Sequence, residues 1–163
     1  MKKILLFTIP LLGLFFLITA FKNVSENFFQ ISSKKWNLES AEIANESYDV
    51  KSKFELDFMS EVNKLSDAKT FIYLSLTSSN TYKVADGIYE ISLTSLSGRE
   101  PYHFNGSVFI NDKEIKIVDG TFSVENINEA ISVHMIFKLA NGDILNGIYN
   151  GEFTSIDRSK NYN

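Results

Sequence analysis

Residues 131–153 read ISVHMIFKLANGDILNGIYNGEF, and this stretch decides the fold. Its first half alternates with period two. Ile131, Val133, Met135, Phe137 and Leu139 share one face, opposite Ser132, His134 and Lys138. Successive side chains of a strand point to opposite faces of a sheet, so the pattern is that of a half-buried strand. The second half holds three Asn-Gly pairs within eleven residues, too many for all to be turns. Asn141-Gly142 separates two apolar runs and reads as the hairpin turn. From Asp143 onward the odd positions are Leu145, Gly147, Tyr149, Gly151 and Phe153, large alternating with small. That face suits the tapering interior of a small barrel, where a side chain at every inward site would clash. Gly147 and Gly151 are then packing and bend positions, and Asn146 and Asn150 face water.

Working outward, the same alternation recurs. Phe54, Leu56 and Phe58 share a face, as do Ile72, Leu74 and Leu76, then Tyr89, Ile91 and Leu93, then Phe104, Val108 and Ile110. Ser79-Asn80, Ser97-Gly98, Asn111-Asp112 and Asn128-Glu129 are turn signals between these runs. The reading gives eight strands, at 36–43, 49–58, 70–78, 82–95, 103–111, 113–126, 130–140 and 143–155. Most connections are too short for crossover helices, which makes neighbours antiparallel. Two places break the rhythm. Met59, Val62 and Leu65 fall at helical spacing and suggest a short helix within 59–69. Across Asp119-Gly120 the inward parity changes, from Ile115 and Ile117 to Phe122 and Val124. A strand cannot change parity without an inserted residue, so the pair is a glycine bulge or a tight turn opening a new strand.

The chain starts MKKILLFTIPLLGLFFLITA, with Lys2 and Lys3 ahead of an apolar run and the small Ala20 at its end. This is the form of a secretory signal; an uncleaved signal anchor is the alternative, weakened by Pro10 and a run barely long enough to span. The expected organisation is a signal peptide at 1–20, a lead-in segment at 21–35, a β-barrel domain at 36–156 and a frayed tail at 157–163. Localisation follows as exported: periplasmic, cell-surface or secreted, with no stable membrane span after cleavage. No cysteine occurs, which excludes disulfides, thiol chemistry and a lipid on cysteine. Cleavage removes two lysines and no acid, leaving 14 basic residues against 20 acidic, net −6. Nucleic acid is a poor partner for such a chain.

The strand reading carries a resemblance. KKWNLES at 34–40 looks like a barrel's opening strand, and GTFSV at 120–124 with residues 131–153, ending G-x-Y-x-G-x-F, looks like its paired closing strands. On these motifs, over roughly 120 residues, the chain resembles the lipocalin-like (calycin-like) β-barrel proteins exported by bacteria. The resemblance implies an all-β, eight-stranded antiparallel up-and-down barrel, preceded here by the signal helix.

Residues with chemistry to offer are sparse. His103 stands near a turn and His134 on a polar strand face, and no spacing brings them together with carboxylates, so no metal or cofactor is expected. No G-x-S-x-G, phosphate loop or H-E-x-x-H occurs. Glu55 and Asp57 alternate with lysines on a face expected to be solvated. The asparagines of the N-x-S sequons, Asn23, Asn45 and Asn105, receive no role. Aromatics are the richer class. One reading fills a core with Phe54, Phe58, Phe122, Phe137 and Phe153. Another opens a cavity at one end, lined by Trp36, Tyr89, Met135 and Tyr149, for a small apolar ligand. A third notes that Phe71, Tyr73 and Phe109 fall on faces that should be polar and form a surface for an envelope protein partner. The expectation is a binding module without enzymatic activity; the alternative is a structural or accessory component of a bacterial envelope assembly.

Overall fold

A computed structural model describes residues 26–47, 52–93, 96 and 100–159. The expected signal segment lies outside the described residues. The chain forms strands β1 (Phe28–Ile31), β2 (Lys34–Asn37), β3 (Ser40–Asn45), β4 (Lys53–Met59), β5 (Phe71–Thr77), β6 (Gly87–Ile91), β7 (His103–Ile110), β8 (Lys113–Ile127), β9 (Ala130–Leu139), β10 (Ile144–Glu152) and β11 (Thr154–Asp157). All join one sheet in the order β11-β3-β4-β5-β7-β6-β8-β9-β10-β1-β2, with β7 also paired to β8. No helix among the described residues is long and apolar enough to cross a membrane.

The sheet is curled into a half-barrel, and one ring contact measures the curl. Phe58 on β4 and Tyr149 on β10 have centroids 5.4 Å apart. Through the β7–β8 pairing those strands are five spacings apart, about 24 Å in a flat sheet. The concave side therefore closes over a single core, in which Phe58, Tyr89, Phe104, Phe122 and Phe137 have 1% exposure or less. The alternation read from sequence is what fills it: Ile131, Val133, Met135, Phe137 and Leu139 are all buried, as are Phe54, Leu56, Ile72, Leu74 and Leu76.

Among the described residues, eleven strands replace the expected eight, for local reasons. The strand expected at 36–43 is two, β2 and β3, broken at Leu38-Glu39. Leu38 turns into the core there, and its N–H donates to the Asn27 carbonyl (2.9 Å). The strand expected at 143–155 is interrupted at Phe153 alone, giving β10 and β11. The third addition is β1, in the segment read as a lead-in, which pairs β2 on one side and β10 on the other. Nor is the sheet wholly antiparallel: β11 runs parallel to β3, and β6 parallel to β7.

Of the two irregular places, the bulge is present. Ile117 pairs Leu139 and Asp119 pairs Lys138, so Val118 is the inserted residue within a continuous β8. Gly120 sits at φ +125°, a conformation L side chains rarely adopt. The helix expected within 59–69 is only a three-residue 3-10 turn, Leu65–Asp67. Met59 belongs to the end of β4, and Glu61 at φ +68° breaks any helical run at its start. Leu93, expected inward, is 74% exposed because β6 stops at Ile91.

Candidate functional site

The β10–β11 strand changes partners along its length. β1 pairs with it through Ile148, and β3 takes over from Thr154. Between those ladders, Tyr149 to Glu152 pair with β9 alone. One side chain, that of Asn27, reaches into the seam that results, and a second bond closes within β10. The Asn150 N–H donates to Asn27 Oδ1 (2.7 Å), and the Tyr149 hydroxyl donates to the Glu152 carbonyl (2.6 Å). Gly151 belongs to this arrangement, because a Cβ there would lie 3.2 Å from the Tyr149 hydroxyl.

A cleft of about 430 Å³ opens at this seam, walled by Ala41, Tyr149, Gly151 and Phe153, with Asn27, Ser40 and Thr154 as neutral polar groups and Glu39 and Glu152 as acids. Both acids are exposed, and neither makes a side-chain hydrogen bond or ion pair with another described residue. Burial raises the Tyr149 phenol above its ordinary pKa; the Ala41 backbone acts against this and the Glu152 charge adds to it. The phenol is thus a neutral donor, and the site as a whole is acidic at its mouth and aromatic on its wall. Among the described residues, no three of His, Asp and Glu come together as a metal would need. His134 is exposed, and His103 Nδ1–H donates to the Glu100 carbonyl (3.1 Å).

No protein-family model matches the chain. Neither a curated protein nor a solved structure matches it. The site therefore rests on its own geometry.

The four residues proposed from sequence to line a ligand cavity all reach the one core, but only Tyr149 also lines the seam cleft. Tyr89 is fully buried, stacked on Phe122 with centroids 4.8 Å apart, and its hydroxyl donates to the Ala85 carbonyl (2.9 Å). Burial pushes that phenol up to about 12. Met135 is buried, and its Cε would lie 3.1 Å from a Cβ at Gly147. Trp36 is half-buried, stacked on Phe29 at 4.9 Å with the Lys34 ammonium 4.7 Å from its ring centre.

The three residues read as a partner surface do lie together on the convex face. Phe71 and Phe109 are directly opposite on β5 and β7 and stack at 4.4 Å. Tyr73, also half-buried, donates its hydroxyl to Glu55 Oε1 (2.8 Å). Sequence reasoning missed Asn27, Glu39 and Glu152 and placed Phe153 in the core alone. The legible signal was the aromatic–glycine alternation around Tyr149. That the β2–β3 junction lies across from it is a tertiary fact.

Proposed function

We propose that the chain is an exported, non-enzymatic binding module that takes a small ligand in the seam cleft and not in a barrel interior. The observation that carries this reading is a shallow, open cleft of about 430 Å³ with Tyr149 and Phe153 on its wall, able to hold one face of a small molecule. The space a barrel ligand would need is occupied by Phe58, Tyr89, Phe104, Phe122 and Phe137. Two carboxylates at the mouth, neither paired with another described residue, favour a neutral or cationic ligand with an apolar face, and disfavour an anion.

Benzylamine, benzyl alcohol and benzoate share a ring and differ in charge, so they test both halves of the reading. In amide NMR spectra the first two are expected to shift Asn27, Gly151 and Glu152, with benzoate the weakest. Phe153→Ala is expected to weaken binding about tenfold or more, the scale for an aromatic anchor. Trp36→Ala is expected to leave it unchanged. Shifts that avoid the seam, or survive Phe153→Ala, would refute the site.

A second reading, an accessory role in an envelope assembly through protein contacts, is favoured by the Phe71–Phe109 stack, which stays half-exposed on the convex face. There Phe71→Ser would abolish co-purification with a defined envelope protein while leaving the fold intact.

A further inference from the structure

The convex face of β4 buries an acid. Asp57 is only 4% exposed, and its Oδ1 has no hydrogen-bond partner among the described residues. An unmet buried carboxylate oxygen is costly when charged, since neither water nor a donor replaces its lost solvation. The strand register shows what surrounds it. Asp57 faces Glu42 across β3 and Tyr73 across β5, and Glu55 precedes it by two residues on the same face. Three donors nearby are committed to other carboxylates. Tyr73 donates to Glu55 Oε1 (2.8 Å), and the Lys53 ammonium lies 3.8 Å from the same oxygen. The Arg158 guanidinium donates to Glu46 Oε1 (2.9 Å) and Glu55 Oε2 (3.1 Å). Among the described residues Asp57 is thus left with two carboxylates for neighbours and no cation of its own, and such groups do not all ionise together cheaply.

We propose that Asp57 is a proton-binding site, neutral in the folded chain at mildly acid pH, whose ionisation sets three carboxylates against one another and weakens the β3–β4–β5 face. The carboxyl is pushed up to about 7, by burial first and then by Glu55 and Glu42, with the Arg158 charge pulling the other way. Protonation removes the charge, which is the costlier part of leaving that oxygen without a partner. None of Asp57, Glu42 and Glu55 lines the seam cleft.

A carboxyl-carbon NMR titration of the wild-type chain between about pH 4 and 9 reads the site directly, with Asp57→Asn identifying the resonance by its loss. The expected midpoint is within about one unit of 7. A midpoint below about 5 would overturn the proposal. Glu42→Gln is expected to move the midpoint down, because one of the repelling charges is gone; an unmoved midpoint would remove the cluster from the explanation. The melting temperature of the wild type is expected to fall from pH 5 to 8 while that of Asp57→Asn stays flat, and equal slopes would count against the site. If Asp57→Asn does not fold, the resonance is identified by elimination in wild type and Glu42→Gln still decides.

Discussion

Two glycines with positive φ separate backbone strain from steric conflict. Gly120, at the β8 bulge, has φ +125°, and Gly142, in the β9–β10 turn, has φ +89°. A Cβ on Gly142 would have nothing within 4 Å, whereas one on Gly120 would lie 2.2 Å from the Ile136 carbonyl oxygen and 2.9 Å from Phe137 Cα. Both contacts are backbone, so no rotamer change relieves them. Gly142→Ala should therefore cost strain alone, about 1–2 kcal/mol. Gly120→Ala should cost that strain and also force β8 away from β9, a further loss of about 1–3 kcal/mol on the scale of overpacked interiors. Urea unfolding measures both, as midpoint shifts at constant slope. The difference between the variants is the quantity of interest, because only Gly120 adds a backbone clash to its positive φ. Equal losses would refute the bulge geometry and leave the parity change of β8 without its cause.

The folded carboxyl of Asp57 is raised from 3.8 to about 7, so the native chain keeps a proton that the unfolded chain gives up. Stability should therefore decline as pH rises from about 4 to about 7 and level off above, by at most about 4 kcal/mol, with Asp57→Asn recovering most of it at pH 8. Arg158→Ala removes the guanidinium from Glu46 and Glu55 and should cost only about 0.5–1.5 kcal/mol, since the arginine is partly exposed. Its clearer readout is faster amide exchange in β11, and unchanged exchange would show that the ion pairs do not hold that strand. N-terminal sequencing of the exported product should begin within a few residues of Phe21; a cytoplasmic product retaining Met1 would rule out cleavage.

What the sequence made legible was parity. β9 and β10 were readable because their inward residues alternate without interruption, and the bulge because Ile117 and Phe122, both buried, cannot share one unbroken period. β1 escaped because Phe28-Phe29 puts one ring on each face, leaving no alternation to see in four residues. Partners were harder still. Period two says which face a residue takes and nothing about which strand lies beside it, so the parallel β11–β3 pair was out of reach. Asp57 failed for a related reason. It sits on the polar side of its strand, as read, but Glu42, Glu55 and Tyr73 crowd around it and water is shut out. Tyr149 was found because its glycine neighbours advertise a crowded site. Glu39 was not, because its place opposite the seam arises only when the β1–β2 hairpin has docked.

The pairing of β11 with β3 also has a consequence for the order of folding. Arg158 bonds to Glu46 across 112 residues of chain, and the β11 strand beside it pairs with one of the earliest strands synthesised. Until that late segment arrives, β3 has β4 on one side and an open ladder on the other. Closing so long a loop is entropically slow, and open strand edges are where chains stick to one another. On this topology β3 is expected to keep one open edge until β11 is available to pair with it. A chain truncated after Phe153 would keep most of its core residues, and by this logic it would still be expected to aggregate.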